Sequence, residues 1–244
     1  MESSIDKTIY LTFDMEWAND TVLEYLYRLL KKEDVPATVF VTHDTNWLNK
    51  FREDSNIELG IHPNFNKILL GEDNTGNYRM VIDELMEIVP EAKSYRSHSL
   101  TDSSSIILYC VEKGLENNLN TYYFPNPGTS LLPFERSGIS MIPFIFEDDL
   151  WLLDFKHKEI DYYLSEKFKA FRIFNFHPIQ LYLNTASYDR YEKAKVYNHE
   201  ADKLKTYRNR DGWGIEKVFA ELIEQARAKG FRFGLMKDLK SISY

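Results

Sequence analysis

A chain of 244 residues is long enough for one large α/β domain with a sizeable buried core. Its formal net charge of -8, with no Lys/Arg-rich run, leaves no electrostatic footprint for nucleic acid or an anionic membrane. The single cysteine excludes an internal disulfide, no apolar run reaches the ~18 residues of a transmembrane segment, and Met1–Lys7 lacks the basic-then-apolar order of an export signal, so the sequence reads as cytoplasmic.

Ile9-Tyr10-Leu11-Thr12-Phe13 is a predicted strand that ends abruptly in Asp14-Met15-Glu16-Trp17. Apolar residues at Val22, Tyr25, Leu26, Leu29 and Leu30 then predict a helix over 21–32, closed by basic residues that suit a helix C-terminus. After Pro36 come a strand over 37–42, a short helix over 45–53 and a strand over 57–61 that runs into His62-Pro63-Asn64-Phe65-Asn66. The Asp, Asn and Gly of 71–76 predict a loop, 78–89 a helix, 93–99 a short strand with its exit, and 102–113 a helix closed by Gly114. Within that helix Cys110 reads as a buried small hydrophobe.

Strands are predicted over 118–124 and 139–146, with loop over 125–133, and the second ends in Glu147-Asp148-Asp149-Leu150-Trp151. A helix over 160–168 and a strand over 171–176 follow, the latter ending in His177-Pro178. The tyrosine-rich, charged stretch 187–210 reads either as a lid or as an exposed helix. An amphipathic helix over 215–229 and a strand over 231–236 close the chain. Seven or eight strands alternating with helices are what parallel βα units require, so residues 1–244 are expected to form one barrel-like domain.

In a parallel barrel all strand exits lie on one face. Here those exits carry Asp14, Glu16, His62, Arg96, His98, Glu147, Asp148, Asp149 and His177, groups that bind metals or move protons. For Asp14 alone, capping of the next helix competes with a site role. A lone histidine such as His43, His157 or His199 reads more simply as a satisfied polar residue, but three at strand exits suggest a site. Two imidazoles and a carboxylate can hold a divalent metal and leave a position for water, whose pKa falls to about 7 on zinc.

Thr12-Phe13-Asp14, Gly60-Ile61-His62, Tyr95-Arg96-Ser97 and Phe176-His177 resemble, in order, the motifs of the polysaccharide deacetylase family, carbohydrate esterase family 4. The fuller strings resemble a divergent cytosolic subgroup associated with surface-polysaccharide biosynthesis. The resemblance implies a distorted (β/α)7 barrel that removes acetyl groups from N-acetylated sugars with a divalent metal, usually zinc. It implies Asp14 as base, Glu16 near the place of the acidic metal ligand, His62 as a histidine ligand, and Arg96 as the group that steadies the base. It further implies His177 as the acid for the leaving amine, Asp148 or Asp149 as its orienting carboxylate, and Trp151 as a wall of the acetyl pocket; Trp17 and Asn66 are expected beside the substrate.

One departure stands out. The family's second histidine ligand falls four residues after the first, where this chain has Asn66, and an amide oxygen is a poor zinc ligand. Either Asn66 binds weakly, or His98, an imidazole where the family has none, completes the site, or no metal is held; His98 is the favoured replacement. The sequence therefore predicts a metal-dependent deacetylase acting on a small-molecule or lipid-linked sugar. A catalytically degenerate barrel that binds a sugar or partner is the alternative, and paired-carboxylate glycoside hydrolysis by Asp14 with Glu147 or Asp148 a third.

Overall fold

The structure is a computed structural model that describes residues 7–72, 77–126, 128, 130–153, 159–210 and 212–239. Their strands are β1 (Thr8–Asp14), β2 (Ala37–Val41), β3 (Ile57–Ile61), β4 (Ser94–Tyr95), β5 (Asn117–Tyr122), β6 (Ser130–Leu131), β7 (Phe134–Arg136), β8 (Ile139–Phe144), β9 (Phe146–Glu147), β10 (Lys169–Ala170), β11 (Arg172–Phe176) and β12 (Arg232–Gly234). β1 to β5 lie side by side in sequence order, all parallel. β8 pairs parallel with β5, β9 with β11, and β11 with β1. Only Ile145 separates β8 from β9, and its N–H donates to the Ile173 carbonyl at 3.1 Å. One kinked stave thus passes from β5 to β11 and closes a distorted (β/α)7 barrel.

The period of two in each strand divides its side chains between an outer and an inner core. Ile9, Leu11 and Phe13 of β1 pack under the helices, while Tyr10 joins Phe40, Leu119, Ile142, Phe144 and Ile173 in the interior. Gly60 makes room there, since a Cβ would come within 2.7 Å of the Phe40 ring and 2.6 Å of the Ser94 carbonyl. The helix Asp20–Glu33 buries Val22, Leu23, Leu26, Leu29 and Leu30, as its spacing predicts, and packs beside the helices Trp47–Arg52 and Pro178–Leu183. No helix among the described residues is long and apolar enough to cross a membrane.

Several elements differ from their sequence-based prediction, among them β6, which lies inside the predicted loop 125–133 and pairs with β10, and the unpredicted helix Pro178–Leu183. β7 lies just after the predicted loop and forms an antiparallel hairpin with β8, because Ser137 and Gly138 adopt φ of 54° and 88° and turn the chain tightly. The helix expected over 160–168 stops at Tyr163. The last strand is short: β12 pairs with Thr8–Tyr10 of β1, below the Thr12–Asp14 stretch that pairs with β2, so it wedges into the barrel base. The predicted loop over 71–76 and His157 lie largely or wholly outside the described residues.

Candidate active site

The inner positions at the carboxyl ends of the staves carry Asp14, His62, Arg96, Asn175 and His177, and all five are buried. Asp14 does not cap the first helix, because Asn19 does so, its side chain accepting from the Thr21 and Val22 N–H groups. Arg96 forms the floor, with its guanidinium between the Phe40 and Phe144 rings at 4.9 and 4.4 Å. It donates to Asp14 Oδ1 at 3.0 Å, Asn175 Oδ1 at 2.5 Å, Thr12 Oγ1 at 3.1 Å and the Leu119 carbonyl at 3.2 Å. Asn175 Nδ2 donates to the other Asp14 oxygen at 2.8 Å. Burial pushes the Asp14 carboxyl up, but the charges of Arg96 and His62 outweigh it and hold the group below its ordinary value.

Glu16 and Trp17 take φ of 46° and 53°, and the Trp17 N–H donates to Thr42 Oγ1 at 3.1 Å. This left-handed turn brings the Glu16 carboxylate back over the barrel mouth. His98 Nδ1 lies 2.7 Å and His62 Nε2 3.1 Å from Glu16 Oε1, and the two imidazole rings meet edge to face at 5.8 Å. Each residue offers one ligand atom, and the three atoms lie within 4.8 Å of one another. His62 Nδ1 is buried without a hydrogen-bond partner, 3.6 Å from Asp14 Oδ1. Although burial pushes Glu16 up, the hydrogen bonds to His62 and His98 hold its carboxyl far below the ordinary range. The bond to Glu16 raises His98 in turn.

His177 is built the opposite way. Its Nδ1 lies 2.6 Å from Asp148 Oδ1, its backbone N–H donates to Asp148 Oδ2 at 2.8 Å, and Asp149 Oδ1 stands 3.8 Å away. Gln180 Nε2 donates to Asp149 Oδ1. Burial pushes the imidazole down, yet Asp149 and Asp148 hold it well above its ordinary value. Asp148, Asp149 and His177 also offer atoms within 4.8 Å of one another. Both Asp148 oxygens are nonetheless already engaged by His177, so this group is suited to holding a proton.

A cavity of about 420 Å³ opens over both groups. Glu147, paired with Asn175 across β9 and β11, reaches it from the inner face, and burial pushes its carboxyl up to about 7. Tyr188, Tyr191 and Lys195 of the helix Tyr188–Lys195 line its other side.

Residues 11–195 match the WbmS-like polysaccharide deacetylase family. This chain belongs to the polysaccharide deacetylase family. It is 32% identical to WbmS of Bordetella bronchiseptica, described as a polysaccharide deacetylase involved in O-antigen biosynthesis, over 89% of this chain and 90% of that one, with a TM-score of 0.82. The fold is shared more widely. The peptidoglycan N-acetylglucosamine deacetylase Bc1960 matches at 15% identity over 98% and 91% of the two chains, TM-score 0.52. A family 4 carbohydrate esterase from Streptomyces lividans matches at 11% identity over 94% and 92%, TM-score 0.52. No curated protein sequence matches the chain.

Of the residues singled out in this polysaccharide deacetylase, Asp14, Glu16, His62, Arg96, His98, Asp148 and His177 come together at one mouth. Three substrate-side expectations fall elsewhere. Asn66 opens the short helix Asn66–Leu69, its N–H bonded to Asn64 Oδ1, and does not line the cavity. Trp151 packs between Phe146 and Trp213, at 6.3 and 5.2 Å. Trp17 sets its ring against the edge of His98 at 5.4 Å and lines a neighbouring hollow. Sequence reasoning missed Asn175 and Thr12, which complete the Arg96 floor. Both lie an even number of residues from an inner site group, and that spacing is the signal that marks them.

Proposed function

We propose that this polysaccharide deacetylase hydrolyses the acetyl amide of an N-acylated sugar, with Glu16, His62 and His98 as metal ligands, Asp14 as base and His177 as acid. The observation that carries the reading is the convergence of one carboxylate and two imidazole atoms within 4.8 Å, beside an Asp14 held on both oxygens. Such a donor set suits zinc. With the Nε2 lone pair of His62 turned toward a cation, its proton resides on Nδ1, which is otherwise unpartnered and faces Asp14. A divalent cation held there supplies a Lewis acid for the acyl oxygen and brings the pKa of water toward neutrality.

The chain's own groups handle the protons. Asp14, ionised by Arg96, accepts a proton from the attacking water, whose oxygen adds to the acyl carbon. His177, kept protonated by Asp148 and Asp149, delivers a proton to the nitrogen as the C–N bond breaks, leaving acetate and a free amine. The likeness to a protein of O-antigen biosynthesis supports a small-molecule or lipid-linked sugar intermediate as substrate, handled in the cytoplasm. Asn66 is the feature that favours a degenerate, binding-only barrel; His98 in the donor set argues against it.

The test is acetate release from a nucleotide-linked N-acetylhexosamine. Release that chelation abolishes and zinc restores is expected. Undiminished release after chelation would refute the metal assignment, and no release would refute the activity.

A further inference from the structure

We propose that a second cavity, set among the outer helices, binds a small molecule carrying a diphosphate group. The cavity has a volume of about 600 Å³ and shares none of its described lining residues with the catalytic cavity. That volume falls within the range of small-molecule sites. The inference goes beyond the deacetylase reading and does not rest on it.

Four helices and the turn between two of them build the walls. Tyr25 belongs to the helix Asp20–Glu33, Tyr182 to Pro178–Leu183, Lys205 to Ala201–Thr206 and Lys217 to Ile215–Ala228, while Arg208 and Arg210 stand on the turn that joins the last two. That turn is tied down. Asn184 Nδ2 donates to the Asn209 carbonyl at 3.1 Å and the Gly212 carbonyl at 2.9 Å, and the Asn209 N–H donates to the Leu183 carbonyl at 2.8 Å. Arg208 is held further by its guanidinium, which lies over the Tyr25 and Tyr182 rings at 4.5 and 5.4 Å. It donates to the Tyr182 carbonyl, to the Tyr25 hydroxyl at 3.1 Å and to Glu216 Oε2 at 2.9 Å. A stacked, bonded guanidinium is pre-organised, so little freedom remains to be lost when an anion arrives.

Charge gives the class of ligand. The described lining holds four cations, Lys205, Arg208, Arg210 and Lys217, and one acid, Glu216, in a chain whose formal net charge is -8. Lysines elsewhere meet acids, as Lys31 meets Asp54 and Lys113 meets Asp83. Among the described residues, the side chains of Lys205, Arg210 and Lys217 have no such partner. Lys217 also sits in the first turn of its helix, where the macrodipole disfavours a cation and where Gly214 brings no side-chain cap. Like charges gathered in this way cost stability, and an anion between them offsets that cost. One phosphate group brings about -1.5 to -2 charges, too few to balance an excess of three, so two phosphates fit better than one.

Isothermal titration with pyrophosphate, with sulfate as the comparator at equal ionic strength, tests the site. Saturable binding of pyrophosphate, about tenfold or more tighter than that of sulfate, is expected. Arg210→Ala/Lys217→Ala should weaken it about tenfold or more and, without ligand, should melt no lower than the parent, because the repulsion is relieved. Glu216→Gln removes the acid and should tighten binding instead. Absence of pyrophosphate binding, sulfate bound as tightly, or weaker binding by Glu216→Gln overturns the proposal. So does an affinity unchanged in Arg210→Ala/Lys217→Ala, since the anion then sits elsewhere, as at the Glu16, His62 and His98 group. Acetate release tests the deacetylase reading separately, so the two can fail independently.

Discussion

Around Glu16 two imidazoles converge on one carboxylate oxygen, whereas around His177 two carboxylates converge on one imidazole. Both groups stand at exits of the same barrel and use the same residue types. Connectivity separates them: the first gathers lone pairs at one point, and the second surrounds a proton with negative charge. Composition alone does not distinguish a metal site from an acid.

The largest effect that can break this contrast comes from the ligands. His62→Ala and His98→Ala are each expected to lose bound metal and bring turnover to background, while His177→Ala keeps its metal. Elemental analysis of the purified variants reads this directly, and metal retained by His62→Ala contradicts it. Turnover of His177→Ala should fall by roughly 100- to 10,000-fold, as expected for loss of an acid. Retained turnover would remove His177 from the chemistry.

Arg96 supports the first group from below. Arg96→Met leaves the buried Asp14 charge uncompensated and is expected to cost about 3–5 kcal/mol of stability, read by urea denaturation. A variant as stable as the parent would show that Asn175 alone suffices to hold Asp14.

A smaller effect distinguishes the second group by pH. His177 titrates above its ordinary value, so the stability it contributes is complete below about pH 6.5 and is lost as pH rises through its raised value. Asp148→Asn lowers that value, and the alkaline limb of kcat should move to lower pH with metal content unchanged. An unmoved limb would mean that Asp148 only positions the ring.

Glu147 gives the smallest effect. Its carboxyl is raised to about 7, so the stability due to its protonated form is complete below its ordinary value and is lost as pH rises through about 7. Glu147→Gln should therefore stabilise the protein at pH 8 more than at pH 5, in paired denaturation curves. An equal change at both pH values would place the carboxyl in water.

Much of this arrangement is legible in the chain. A strand ending in Asp14 and histidines followed by proline at 62 and 177 mark the mouth, and the missing histidine at Asn66 directs attention to His98, which does lie against Glu16. What is not legible depends on contacts between distant segments. Trp151 looks like a pocket wall but finds Trp213, some 60 positions on, and turns into the core. Residues 187–210 carry no strong period because their helices pack by a few tyrosines and by Asn198, not by an apolar stripe. Pro143 marks an irregular strand two residues before the kink at Ile145, but the change of partner from β5 to β11 that the kink serves is not written in that apolar run.

The most direct test of the central claim is an anomalous-difference map from crystals grown with zinc and collected at the zinc edge. One strong peak between Glu16, His62 and His98 is expected. A peak at Asp148, Asp149 and His177 instead, or a mouth without density in crystals that hold zinc elsewhere, would contradict it.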